Sequence, residues 1–190
     1  MEKLSYYLLY GVAYMLSLLP FWLLYVISDA LYLLMYRVVK YRRKVVWKNL
    51  TSSFPEKNET ELRTTERQFY HWLCDFGVEA VKLLSMGEKQ LLRHVEYRNV
   101  ELVEKMFDEG RSCSAMSGHY CNWEWYTGLL LNMKRHPQTA LGLIYHPLYN
   151  KAFDRLFIDI RSAHGGICVP KKDILRHLVK CRQEGRCSLL

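Results

Sequence analysis

From Leu4 to Ser28 the chain runs 25 residues without a charged side chain; after that, polar positions are broken by short apolar groups that keep a helical or strand period. As one helix the first stretch measures roughly 37 Å, enough to cross a hydrocarbon core of about 30 Å with some tilt. Pro20 interrupts it. Proline lacks an amide hydrogen and clashes with the preceding turn, so it either kinks a spanning helix or separates two shorter helices lying in the membrane interface. Tyr6, Tyr7, Tyr10, Tyr14, Tyr25, Tyr32 and Tyr36 suit the interfacial version. The pattern predicts a membrane anchor over residues 1–36, with a buried core helix as the alternative. A cleaved signal peptide fits poorly, because the apolar region is too long and no small-x-small site follows it.

Beyond residue 36 the periods alternate. A helix is predicted from Glu59 to Leu84, opened by Asn58 and Glu61 at capping-box positions and striped by Leu62, Phe69, Leu73, Phe76, Ala80 and Leu84. A short helix from Glu88, a strand at His94–Arg98 and a helix at Asn99–Asp108 ending at Gly110 come next. Cys113–Met116 reads as a strand, Gly118 as a turn, and Asn122 as the N-cap of a helix through the apolar run Thr127–Leu131. Ala140–Tyr145 and Gly166–Val169 are predicted strands, and Asn150–Ser162 and Asp173–Gln183 predicted helices. This alternation predicts an α/β fold over residues 37–190, with a mainly parallel or mixed sheet flanked by helices. Arg186–Leu190 reads as a further buried strand barely begun, so the C-terminal part of the fold is expected to be missing.

Composition sharpens this picture in three places. The formal charge of +8 calls for an anionic partner. Arg37, Lys40, Arg42, Arg43, Lys44 and Lys48 directly follow the apolar segment with no acid between them, which favours anionic headgroups over a solvated helix face and, if the first segment spans, keeps that side cytoplasmic. Nucleic acid is not an expected partner, since the basic residues abut an anchor and no recognition motif accompanies them. The six cysteines show no Cys-x-x-Cys spacing and no zinc-site pattern, so no metal is expected. Cys74, Cys113 and Cys168 lie in apolar runs and read as buried thiols; a Cys181–Cys187 disulfide is conceivable, but a reduced cytosolic setting is the simpler reading. Gly165-Gly166 is a turn with no phosphate-loop fingerprint.

The candidate chemistry lies in Ser114–Trp125, where His119 precedes Glu124 by five positions. On one continuous helix those side chains would point about 140° apart. A working pair therefore needs His119 on the turn and Glu124 in the first helical turn, an arrangement that Gly118 and Asn122 permit. There a carboxylate can fix the imidazole tautomer and leave the other nitrogen as a base. By itself the spacing is weak evidence, expected by chance roughly once in two chains of this composition.

Ser117-Gly-His-Tyr-Cys-Asn-Trp-Glu124 resembles the His-x4-Asp/Glu signature of the glycerolipid acyltransferase superfamily. In its Gly-His-x-x-Asn-Trp-Glu form it is similar to the late acyltransferases of lipid A biosynthesis, the lauroyl and myristoyl transferases of Gram-negative bacteria. Two further segments resemble the same family in the same order: Tyr41-Arg-Arg-Lys-Val-Val-x-x-Asn-Leu50 with Phe54-Pro-Glu56, and Tyr145-x-Pro-Leu-x-Asn150 with Arg155, Arg161, Gly165-Gly166 and Pro170-Lys-Lys172. Members of that family continue well past this point and carry a Pro-Asp-Gln-type segment that this sequence lacks.

The resemblance implies acyl transfer from an acyl carrier protein thioester to a hydroxyl of a lipid A precursor or related glycolipid, without a cofactor, at the cytoplasmic face of a bacterial inner membrane. It implies His119 as general base, Glu124 as its orienting carboxylate, and Asn122 as a turn-shaping or acceptor-binding residue. Arg155 and Arg161 would contact phosphate; ordinary ion pairs with Asp154 or Asp159 are the alternative. The basic stretch Lys171, Lys172, Arg176 and Lys180 reads either as a docking face for the acidic carrier or as a plain solvated face. An acyltransferase for another lipid acceptor, such as a lysophospholipid, and a catalytically silent membrane-binding module are the competing functions.

Overall fold

The computed structural model describes residues 2–133, 135–136, 139–185 and 188–189. Two compact units divide the chain: residues 18–80 form one, and residues 1–17 together with 81–190 form the other.

Pro20 ends one helix, which belongs to the second of these, and opens the next, which belongs to the first. Helix α1 (Glu2–Ser17) stops short of it, and α2 (Phe21–Tyr32) starts just after it, with the Pro20 carbonyl accepting from Leu23 and Leu24. A π-helical turn continues α2 over Leu33–Val38. By length and composition, Phe21–Val38 is the one candidate membrane span among the described residues. Trp22, Val26, Leu33 and Val38 on it are exposed. Helix α3 (Arg43–Ser53) and α4 (Glu59–Lys82) follow. The capping box at Asn58 forms as predicted, the Asn58 amide donating to Glu61 Oε2 at 2.9 Å and the Glu61 amide to Asn58 Oδ1 at 3.0 Å. Tyr32, Tyr36, Tyr70 and Cys74 are buried together against Met35, Val46, Phe69 and Leu73. Arg43, one of the basic cluster, is drawn in by the fully buried Glu66, to which its Nε and Nη2 donate at 3.0 Å each.

The second unit carries the sheet. Helices α5 (Glu88–His94) and α6 (Val100–Asp108) precede a ten-residue 3₁₀ helix, Trp123–Asn132. Strand β1 (Ala140–Tyr145), helix α7 (Lys151–Ser162), strand β2 (Ile167–Pro170), helix α8 (Ile174–Gln183) and strand β3 (Ser188–Leu189) complete the chain. The sheet has the order β2-β1-β3, and both pairings are parallel, with Gly142 opposite Ile167, Tyr145 opposite Pro170 and Ala140 opposite Ser188. A mixed α/β fold with a parallel sheet is therefore observed, with most of the chain in helices. Phe107, Met133 and Leu141 form its core beneath α6 and β1.

Two predicted strands do not form. His94, Glu96 and Arg98 are exposed and alternate with half-buried Val95 and Tyr97, so the strand period is real, but the segment has no ladder partner among the described residues. Of Cys113–Met116 only Cys113 makes a bridge, its amide donating to the Ser188 carbonyl at 2.9 Å; the residues after it are exposed and irregular. The Arg186–Leu190 strand is seen at Ser188–Leu189, while Arg186, Cys187 and Leu190 lie outside the described residues, and with them the Cys181–Cys187 pairing.

Helix α7 presents three faces. Ala152, Leu156 and Ile160 are buried in the core. Arg155 and Asp159 meet α1: the Tyr6 hydroxyl donates to Asp159 at 2.5 Å, and the Arg155 guanidinium lies 4.0 Å over the Tyr6 ring. At its other end α1 is capped by Lys82 and Ser85, which donate to the Ser17 carbonyl at 2.7 and 2.6 Å. Asp154, Phe157 and Arg161, at the i, i+3, i+7 spacing of one stripe, face the cavity described next.

Candidate active site

A cavity of about 570 Å³ opens between the Ser114–His119 segment, the start of the 3₁₀ helix, β1 and α7. His119 and Glu124 both line it, as do Tyr145, His146, Asp154 and Arg161. The backbone explains how residues five apart reach one space. Cys121 takes a left-handed conformation at φ +50°, reversing the chain after the extended segment. Asn122 then occupies the predicted N-cap position, although its side chain makes no cap hydrogen bond. Trp123 begins a 3₁₀ helix in place of the expected α-helix, and in 3₁₀ winding side chains three apart align. Glu124 and Thr127 are thus both buried on the cavity side.

Two contacts fix this helix from behind. The Tyr97 hydroxyl donates to the Trp125 carbonyl at 2.6 Å, and burial pushes that phenol well above its ordinary value. Gly128 lets the helix approach α5 so closely that a Cβ there would lie 2.6 Å from Leu91 Cδ2 and 2.6 Å from the Tyr97 hydroxyl.

Glu124 is held by Arg161. Nε donates to Oε2 at 2.7 Å and Nη2 to Oε1 at 2.6 Å, a bidentate fork, with the Glu124 side chain 3% exposed and that of Arg161 23%. Hydrogen bonding to Glu124 holds the Arg161 guanidinium above its ordinary range. Gly166 tightens the arrangement, because a Cβ on it would sit 2.6 Å from the Arg161 carbonyl and 3.0 Å from Leu143. His119 is exposed, with its ring edge-on to Trp123 at 4.6 Å. No hydrogen bond joins it to Glu124 among the described residues, where both carboxylate oxygens bond Arg161.

His119, Glu124 and Arg161 therefore share one space, with Asn122 at the turn between the first two. Arg155 is not among the cavity-lining residues and stacks on Tyr6. Sequence reasoning did not single out Tyr97 or Gly128, and it named Asp154 only as an alternative ion-pair partner for Arg155 or Arg161. Asp154 accepts from the Leu148 amide at 2.7 Å and orders the loop after β1, while Asn150 caps α7 through Ala152 and Phe153. Only Gly128, a glycine inside an apolar run, carried any signal in the sequence. No group of three metal-ligating side chains converges among the described residues.

A partly apolar cavity with an exposed imidazole, a buried carboxylate and an arginine can accept an acyl chain beside a base; the carboxylate, already clamped, needs no reorganisation when charge develops. The sequence model of one protein family, described as bacterial lipid A biosynthesis acyltransferase, matches residues 1–190. Among curated proteins none matches the chain significantly.

Proposed function

Because this chain belongs to the bacterial lipid A biosynthesis acyltransferases, we propose that it transfers a fatty acyl group from an acyl carrier protein thioester to a hydroxyl of a lipid A precursor, with His119 as general base. The acceptor oxygen attacks the thioester carbonyl while His119 takes its proton. The tetrahedral intermediate collapses, the carbon–sulfur bond breaks, and the proton passes to the departing thiolate. No covalent acyl-enzyme is needed. Glu124 orients the ring, Asn122 shapes the turn between the two, and Arg161 holds the carboxylate in place through its fork. Arg155, exposed on α7, offers a planar fork to an acceptor phosphate.

The observation that supports this reading is the shared cavity: an exposed imidazole and a clamped carboxylate face one space large enough for an acyl chain. The exposed apolar face of Phe21–Val38 supports work at a membrane, the inner membrane's cytoplasmic face in this reading. The test is acyl transfer by the detergent-solubilised chain and its His119→Ala variant, using carrier thioesters of several chain lengths and a lipid A precursor. A positioned base supplies about 10² to 10⁴-fold, so the variant should lose that much turnover while keeping its fold. Near-normal turnover would remove His119 from the mechanism, and transfer to lysophospholipid alone would replace the acceptor.

A further inference from the structure

The sheet delivers a basic surface to the edge of the cavity. Tyr145, which lines the cavity, pairs in register with Pro170 at the end of β2. Lys171 and Lys172 follow Pro170 directly and are exposed. Adjacent strands lie about 4.8 Å apart, so both lysines leave the sheet just past the partner of Tyr145, at the carboxyl ends of the strands where open α/β sheets hold their ligands.

Helix α8 extends that surface. Ile174, His177, Leu178 and Cys181 form its inner stripe, half-buried or buried. Its outer stripe is Lys172, Leu175, Arg176, Val179 and Lys180, in which Leu175 is 79% and Val179 55% exposed. Between residues 171 and 183, five basic residues accompany a single acid, Asp173. Arg176 reaches that acid only at 3.7 Å, and Lys180 reaches Glu184 only at 3.9 Å, with the two basic side chains 88% and 69% exposed. Such long, hydrated pairs hold little of the positive charge in place.

We propose that this outer face of α8, together with Lys171 and Lys172, is where the acidic acyl carrier protein docks. The proposal rests on the donor assignment made above. Cations ringing two aliphatic side chains match a protein surface of acids around a small apolar patch, and charge complementarity of this kind steers encounter and fixes register. A bilayer is the poorer match, since interfacial helices present a broad apolar face and here two aliphatic residues stand one turn apart between cations. The position completes the argument, because a carrier seated there holds its thioester next to Tyr145 and the cavity.

The test measures binding of the detergent-solubilised full chain to holo acyl carrier protein by fluorescence anisotropy, alongside KM and kcat for the acylated carrier. Lys172→Glu/Arg176→Glu/Lys180→Glu is compared with the neutral set Lys172→Gln/Arg176→Gln/Lys180→Gln, and with Lys89→Glu/Arg93→Glu on α5 as a control. The reversed set should weaken binding and raise KM about 100-fold with kcat little changed, the neutral set about tenfold, and the control less than twofold. Added salt should shrink those differences. Carrier binding unaffected in both α8 sets, with wild-type transfer from the carrier intact, overturns the docking face and leaves the donor assignment standing. A wild-type chain that neither binds nor uses the carrier overturns both. Loss of adhesion to anionic phospholipid vesicles, with carrier binding intact, assigns the face to the membrane and overturns the proposal.

Discussion

Both carboxylate oxygens of Glu124 are occupied by the guanidinium of Arg161, at 2.7 and 2.6 Å, on a side chain 3% exposed. A buried pair of this kind is worth little against an apolar substitute, yet breaking one half of it strands a charge. Arg161→Ala should therefore lower stability by about 3 kcal/mol or more, seen as a drop in thermal midpoint, and should abolish transfer. Glu124→Gln/Arg161→Met should recover most of the stability and none of the transfer. An unchanged midpoint in Arg161→Ala would mean that water satisfies the carboxylate.

Gly166 has no room for a methyl group. Its neighbour at 2.6 Å is the Arg161 carbonyl, which is backbone and cannot swing away. Gly166→Ala should cost about 1–3 kcal/mol and reduce turnover through displacement of Arg161, checked by denaturant unfolding and single-turnover transfer. Gly128→Ala meets flexible side chains, Leu91 and Tyr97, and should be the milder change unless the Tyr97 bond to Trp125 is lost.

Acid should destabilise the sheet unit in two steps. Burial lowers His164 below its ordinary value of 6.5, against an opposing pull from Glu88, and its Nε2 is buried without a hydrogen-bond partner among the described residues. The unfolded chain protonates this ring first, so its contribution is complete above that value and falls away as pH drops below it. Further down, Glu104 and Asp108 are held below the ordinary carboxylate range, Glu104 chiefly by the Arg135 backbone amide and Asp108 chiefly by His136. Their contribution is complete above that range and is lost as pH falls below it through their lowered values. Unfolding followed against pH should show His164→Leu losing the first step and Glu104→Gln flattening the second.

Cysteine reactivity should separate by site. Cys121 is exposed, whereas burial raises the Cys168 and Cys74 thiols. Iodoacetamide at neutral pH should modify Cys121 first, with Cys168 and Cys74 at least about tenfold slower, read by peptide mass analysis. Because Cys121 lies on the turn between His119 and Glu124, its modification should block transfer, and Cys121→Ser should protect. Equal labelling of Cys168 would show β2 to be open.

Local chemistry explains what could be read from the sequence. The capping box, the break at Pro20, the helix begun at Asn150 and the strands Ala140–Tyr145 and Ile167–Pro170 depend on neighbours within a few residues, and all appear close to where they were expected. The strand at His94–Arg98 failed because alternation reports which side chains are half-buried and says nothing of whether a partner strand exists. In the site, the two motif residues were legible by type and spacing. The partner of Glu124 was not, because Arg161 lies 37 positions away on another helix and its charge fitted a phosphate equally well.

The bond between Tyr6 and Asp159 spans 153 positions of sequence. Translation at about 5–20 residues per second separates the birth of those two residues by roughly 8 to 30 seconds. During that interval α1 exists without the helix that receives it, and Tyr6, buried in the finished fold, stands uncovered. The Tyr6 face waits until Asp159 has been made, while Leu4, Leu8, Val12 and Met15 stay exposed after α7 has docked and leave that side of α1 open to a lipid surface before and after.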